Sequence, residues 1–257
     1  MIDIYYVKEN LKTGFIGKNI YCYDEVTSTN TVAKEKYTRP NGSIFIAKTQ
    51  TNGRGRMGRT WQSDNTGLWF SILLKPDIKP DKIPLITLIA GLAVSDEIKN
   101  SYIKWPNDII IDSKKICGIL TELHSLNGNN VICGIGINVS AESFPNELKD
   151  KATSLAIANI DYDVNRLFID IIERFENYYT RFIKEGFAPF RNEYKQKCIT
   201  LNSDVTAVFK DKTISGTATD ISENGELIIS HDNKIITVSS GEVSVRGVLG
   251  YVWFFSD

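Results

Sequence analysis

Gln50-Thr51-Asn52-Gly53-Arg54-Gly55-Arg56-Met57-Gly58-Arg59-Thr60-Trp61 lies between two strand-like runs, Ser43 to Thr49 and Leu68 to Leu74. The chain has nine arginines, and three of them fall in the six positions from Arg54 to Arg59. No Asp or Glu occurs between Glu35 and Asp64. Glycines let backbone N–H groups approach an anion closely, and Arg supplies a planar fork of donors. Together they make a site for phosphate or carboxylate, on a loop able to order around a ligand and exclude water. Gly53 to Thr60 is a near miss to the phosphate-binding P-loop, with Arg59 where Lys belongs. A P-loop opens a helix, and Trp61-Gln62-Ser63-Asp64-Asn65-Thr66-Gly67 does not read as one. On residues alone, a loop against RNA or DNA phosphates and a solvated basic turn also fit.

The loop is a local exception in a neutral chain. Lys and Arg number 30 against 31 Asp and Glu, a formal net charge of -1. That balance argues against a protein that coats nucleic acid, and the ordinary composition (42% hydrophobic, 24% charged) excludes a disordered tail or a coiled coil. Two histidines, His124 and His231, and four scattered cysteines, Cys22, Cys117, Cys133 and Cys198, offer neither a zinc set nor a disulfide framework, so no metal-ligating residues are assigned. The opening Met1-Ile2-Asp3-Ile4 lacks a basic stretch with an apolar run behind it, and Ile83 to Val94 is too short to span a bilayer. A cytoplasmic protein without a membrane segment is expected.

On either side of the loop the pattern predicts a mixed α+β unit. Ile20 to Tyr23 reads as a strand, and Ser28 as the N-cap of a short helix through Lys36. Ile83 to Ile98 reads as a helix with Pro84 in its first turn. Tyr102 to Lys104 and Ile109 to Ile111 are strand-like. Lys115 to His124 and Asn130 to Val139 form a hairpin through Asn127-Gly128. Asp163 to Glu185 is the clearest helix, with apolar residues at i, i+3 and i+4 from Val164 to Ile183, Asp163 as N-cap and Gly186 as C′. After about Thr200 five short β runs, Val205–Phe209, Ile214–Ala218, Leu227–Ser230, Ile235–Val238 and Val243–Val248, predict a small barrel. The chain thus divides into residues 1–200 and 201–257. Gly134-x-Gly136 is not a dinucleotide fingerprint, because Val139 stands at the third glycine position; it reads as strand glycines that permit close approach.

A second cluster, Lys104-Trp105-Pro106-Asn107-Asp108, combines a proline-set turn with an amide and a carboxylate. Lys115 follows, entering the apolar strand Ile116-Cys117-Gly118-Ile119-Leu120; a gatekeeper charge at a strand edge is the bland alternative for it.

With these blocks in order, the chain resembles the biotin protein ligases. The resemblance rests on Ser28-Thr29-Asn30, Gln50 with the Gly53 to Trp61 loop, Lys104 to Asp108, Lys115 to Leu120, and Gly134-Ile135-Gly136-Ile137-Asn138-Val139, and covers about residues 20–140. Ser244-Val245-Arg246-Gly247 also looks like the family's small SH3-like barrel. The resemblance implies a large mixed-sheet catalytic domain of the biotin/lipoate ligase type with that barrel at its C-terminal end. It implies formation of biotinyl-5′-AMP from biotin and MgATP, then transfer of biotin to a lysine of a biotin carboxyl carrier protein or biotin-dependent carboxylase. Biotin would be held by Ser28, Thr29, Asn30, Gln50, Gly53, Arg54, Lys115 and Gly118. ATP would meet Arg54, Arg56, Arg59, Trp61, Asn107, Asp108, Lys115 and Asn138, with Mg2+ as cofactor. Arg56 and Lys115 would carry the chemistry. Only about 20 residues precede the first strand, so the DNA-binding helix-turn-helix of some members is not expected. Members pair through the central sheet, and the oligomeric state here stays open. A lipoate ligase-like acyl-adenylating enzyme and a non-catalytic nucleotide or nucleic-acid binder are the alternatives.

Overall fold

Residues of a strand alternate between two faces, and in the central strands that alternation separates a core from a site. The computed structural model describes residues 2–126, 128–209, 212–232 and 234–240, with the backbone of 244–246. In β2 (Ser43–Gln50), β3 (Gly67–Leu74) and β7 (Asn130–Asn138), Ile44, Phe70, Ile72, Cys133 and Ile135 point into the main hydrophobic core. The intervening residues face the other way. Phe45, Leu73 and Ile132 form a small second cluster with Ala33, and on that same face by strand period come Ser71, Gly134, Gly136 and Asn138.

Strands β1 (Ile20–Val26), β4 (Tyr102–Lys104), β5 (Asp108–Ile111) and β6 (Lys114–His124) complete a seven-stranded sheet of order β1-β2-β3-β7-β6-β5-β4. β1 and β2 run parallel and the other neighbours antiparallel. The core face is covered by α3 (Leu85–Glu97) and α4 (Val164–Glu185). α3 is buried almost all round, as a helix between a sheet and a second helix must be. α4 buries the predicted stripe, including Phe168, Ile171, Ile172, Phe175 and Phe182, and the carboxylate of Asp163 caps it by accepting from the N–H groups of Asn165 and Arg166. That cap contributes about 1 kcal/mol. A short helix α1 (Ile4–Asn10) packs on α4, and α2 (Thr29–Glu35) lies against β2, β3 and β7 on the opposite face.

Beyond α4, α5 (Arg191–Lys197) leads to an antiparallel five-stranded sheet, order β11-β10-β9-β8-β12. Its strands are β8 (Asp204–Val208), β9 (Thr213–Ile221), β10 (Leu227–His231), β11 (Lys234–Val238) and β12 (Ser244–Arg246). The fold is therefore the expected α+β arrangement of a large mixed sheet and a small antiparallel one.

Several local expectations change. α1 and α5 occupy segments that carry too few periodic residues to read as helices. Pro84 is the N-cap of α3 rather than a residue of its first turn, with no side-chain cap bond. Gly186 sits at the C-cap of α4, with φ +73. Asn127 of the predicted hairpin turn lies outside the described residues, as do Val243, Gly247 and Val248 of the last predicted strand; Gly128 has φ +101, where glycine is favoured. No described helix is long and apolar enough to cross a membrane.

Candidate active site

The polar and glycine positions on the second face of the sheet form the floor of a cavity of about 600 Å3. Its glycines are steric requirements. A Cβ on Gly134 would fall 2.0 Å from Asn30 Oδ1, and one on Gly136 would fall 2.7 Å from Trp61 Nε1. A Cβ on Gly118 would meet the Trp61 ring at 3.0 Å and Lys115 Nζ at 3.1 Å. The strand glycines thus let α2 and the Trp61 indole lie directly on the sheet, the close approach expected of Gly134-x-Gly136. Trp61 meets Trp69 edge-on, with centroids 6.2 Å apart, and its indole N–H is buried without a hydrogen-bond partner.

One end of the cavity is lined by uncharged hydrogen-bonding groups. Ser28, Thr29 and Asn30 are buried at the start of α2. Thr29 N donates to Gln50 Oε1 at 2.8 Å, and Gln50 Nε2 donates to Ser63 Oγ at 2.7 Å. Asn30 Nδ2 donates to Glu122 Oε2 at 2.8 Å and to Leu120 O at 3.2 Å. Ser28 stands at the N-cap position as expected, but its side chain makes no cap bond; it lines the cavity instead.

The arginine–glycine loop forms one wall. It doubles back on itself, with Gly55 N donating to Arg59 O at 2.7 Å and Trp61 N to Gly53 O at 2.8 Å. That fold-back decides where Gly53 lies. It is buried beneath the returning strand, where a Cβ would lie 2.2 Å from Trp61 O, and it does not line the cavity. Arg54, Arg56 and Arg59 do line it. Arg54 pairs with Glu122 at 2.8 Å. Arg56 donates to Asn107 Oδ1 at 3.1 Å and to Ser240 O, in the chain after β11, at 2.5 Å. Burial pushes the Arg56 guanidinium pKa down, against the attraction of Asp108.

The other end is cationic. Lys115 Nζ lies 2.7 Å from Asp108 Oδ1 and 4.8 Å from the Trp61 ring centroid. Asn107 is fixed by donating to Ile119 O at 3.1 Å, and Asn138 by donating to Thr153 O at 3.0 Å. The structure adds residues that sequence reasoning missed. Lys104 is 5% exposed, and burial lowers its pKa to about 8, with Asp108 opposing and Lys115 and Arg59 adding to the shift. Phe144, Glu147, Leu148 and Lys151 form the far wall. Their segment is held to β6 by Lys115 N donating to Lys151 O at 2.8 Å and Thr153 N to Lys115 O at 2.9 Å. Glu122 follows Gly118 and Leu120 at the strand period of two, which is the one sequence signal that places it on the site face.

Every predicted site residue except Gly53 is therefore brought to one cavity. It joins an uncharged donor–acceptor cluster to a group of cations across a glycine floor. Such a site suits a ligand with a polar neutral head and anionic groups at its far end. Among the described residues no group of three or more His, Cys, Asp or Glu is placed to hold a metal.

Comparison with known proteins points the same way. Residues 23–138 match the model of the Biotin/lipoate A/B protein ligase family, and residues 200–246 that of the Biotin protein ligase C terminal domain. The chain is similar to the bifunctional ligase/repressor BirA of Bacillus subtilis (strain 168), 35% identical over 252 residues, which cover 93% of this chain and 78% of that one. It is 28% identical over 218 residues to the biotin–[acetyl-CoA-carboxylase] ligase of Mycobacterium tuberculosis, covering 79% of each. Among solved structures it resembles the biotin protein ligase from Aquifex aeolicus in complex with biotin and ATP, with a TM-score of 0.81 and 33% identity over 90% of this chain and 99% of that one.

Proposed function

The chain belongs to the biotin protein ligase family, and we infer from that membership and from the cavity that it is an ATP-dependent biotin protein ligase. The observation that carries the residue roles is the two-ended cavity. A ureido ring has two N–H donors and one carbonyl acceptor, so a buried head group must meet both kinds of partner. Ser28, Thr29, Asn30 and Gln50 supply them without charge. The valerate carboxylate then points across the Gly118 and Gly136 floor toward Lys115.

In the first step a carboxylate oxygen of biotin attacks the α-phosphorus of ATP. The α–β anhydride bond breaks, and biotinyl-5′-AMP and pyrophosphate form. Both reactants are anions, so positive charge must screen their approach. Lys115 meets the carboxylate at the cationic end, with Arg56, Arg59 and Lys104 gathered there for the triphosphate. This is positioning and electrostatic stabilisation rather than covalent catalysis. Asp108 holds Lys115 in place through the ion pair at 2.7 Å. Mg2+ bound with the triphosphate would add positive charge there, held by one or two protein carboxylates. Asp108 and Glu147 are the carboxylates that line the cavity. Trp61 and Phe144 flank the base.

In the second step the neutral amine of an acceptor lysine attacks the mixed anhydride. The amide bond forms, AMP departs with its electron pair and the amine loses a proton. The acceptor is the carrier domain of a biotin-dependent carboxylase, met in the cytosol, where four free cysteines stay reduced. On this reading residues 1–200 are the catalytic unit, and the chain after the strand Lys234–Val238 steadies Arg56 through Ser240.

Biotin-dependent exchange of labelled pyrophosphate into ATP tests this function. Exchange should require biotin and should not be supported by lipoate or octanoate. Exchange supported by lipoate alone, or none with any acid, would overturn it.

A further inference from the structure

We propose that Glu122, which lies outside every motif of the sequence, is a positioning residue that sets the direction of the hydrogen bonds at the uncharged end of the cavity, so that the site selects an acid carrying an N–H donor. The proposal rests on the biotin reading above and names what enforces it.

A carboxylate only accepts hydrogen bonds. Glu122 therefore takes one N–H from Arg54 Nη2 at 2.8 Å and one from Asn30 Nδ2 at 2.8 Å. The other Nδ2 proton of Asn30 faces Leu120 O at 3.2 Å. With its amino group so oriented, Asn30 turns Oδ1 toward Ser71 Oγ, 2.6 Å away. An amide oxygen has no proton, so Ser71 must donate. Ser71 has a single proton, and at 2.7 Å from Thr29 Oγ1 it is then an acceptor from Thr29.

The other neighbour of Thr29 gives the same answer. Thr29 N donates to Gln50 Oε1, which fixes the Gln50 amide, and Thr29 Oγ1 lies 3.2 Å from that same oxygen. Ser71 Oγ and Gln50 Oε1 both accept, so the Thr29 proton is used within the protein. That leaves a lone pair of Thr29 Oγ1 open to a donor, on a residue that lines the cavity. A ligand N–H is welcome there, and a ligand that brings only a carbonyl or an alkyl end is not. The wiring spans three elements. Glu122 is on β6, Ser71 is fully buried on β3, and Asn30 and Thr29 open α2. Arg54, held by the same carboxylate, ties the loop to this arrangement.

The test is Glu122→Gln in the full chain, assayed by biotin-dependent pyrophosphate exchange. Gln puts an amino group where one of the two accepting carboxylate oxygens stood, so either Arg54 or Asn30 meets a donor. One donor is left without an acceptor, and the Asn30 amide is free to turn over. The KM for biotin should rise about tenfold, while the KM for ATP and the kcat at saturating biotin stay within about twofold of the parent. The preference for biotin over lipoate, which has no ureido N–H, should narrow by the same factor. Ser71→Ala breaks the chain one link later and should give the same signature. The double variant should be no worse than either single one, since both cut one network. An unchanged biotin KM in a folded Glu122→Gln protein overturns the proposal. So does an equal loss for biotin and ATP, which marks a merely structural role. If Glu122→Gln does not fold, Ser71→Ala decides on the same criteria. Wild-type protein that shows no biotin-dependent exchange would instead overturn the ligase reading, a result visible before any variant is made.

Discussion

Gly134→Ala places one methyl group where the structure leaves no room. The added Cβ would lie 2.0 Å from Asn30 Oδ1, 2.8 Å from its Cγ and 3.1 Å from its Nδ2. Gly134 is on a central strand, paired to β3 and β6, so the backbone cannot yield. The Asn30 amide must therefore retreat by more than an ångström. That breaks its contacts with Glu122, Leu120 and Ser71, at 2.8, 3.2 and 2.6 Å. Breaking two ordinary hydrogen bonds and one to a carboxylate, with partial relief by rearrangement, costs about 3 kcal/mol. In a chain of this size that lowers Tm by roughly 6–12 °C, and loss of the Asn30 geometry should raise the biotin Kd at least about tenfold. Gly91→Ala provides the contrast in the same assay. Gly91 lies inside α3 with the nearest atoms at 3.8–4.0 Å, an ordinary contact for a methyl. It should gain about 0.5–1 kcal/mol, because alanine loses less entropy in a helix. Thermal melting with and without biotin, and titration calorimetry with biotin, read both variants. A Gly134→Ala protein that melts within about 2 °C of the parent, a cost of no more than about 1 kcal/mol, and binds biotin normally would show that the floor is not packed as described.

Lys115→Ala should leave the fold intact and reduce pyrophosphate exchange by about 100-fold or more, the usual loss for a preorganised charge at a developing anion; near-normal exchange would remove Lys115 from the chemistry. Arg56→Gly should release the adenylate from the loop and label lysines on bystander proteins, detected by streptavidin blot, and unchanged selectivity would argue against the loop as a lid. Lys104 has a folded pKa of about 8 against 10.5, so between those values the unfolded chain binds more protons and this group makes stability rise with pH. Lys104→Met should therefore raise stability at pH 7 by up to about 3 kcal/mol, while lowering activity. The gap between the two melting temperatures should narrow as pH climbs from about 8 toward 10.5; a gap independent of pH would refute the buried charge.

The residues that could be read from the sequence share one property: their role is local. The stripe of α4 and the alternation of β2, β3 and β7 follow from period alone. The arginines of the loop stand together in the chain, as do Asn107 and Asp108 of the proline turn. α1 and α5 escape because each spans seven residues and is held by packing, on α4 and on α3. Gly53 escapes for a related reason, since only the doubling back of the loop shows which glycines face inward. Phe144, Glu147 and Lys151 sit on an irregular segment, and a backbone pairing with β6 brings them to the site. Glu122 is legible by the strand period alone, two residues beyond Leu120 on the face that carries Gly118.

The bond from Arg56 to the Ser240 carbonyl joins residues 184 positions apart. It sets an order on biosynthesis. The sheet, the glycine floor and both ends of the cavity are encoded before residue 155, so a chain still on the ribosome has all the parts that gather biotin and ATP well before the anchor of its arginine emerges. A reactive anhydride made then would sit under a loop not yet fastened, beside the lysines of every passing nascent chain. Only once residue 240 has emerged can the loop be fastened and such an intermediate be contained.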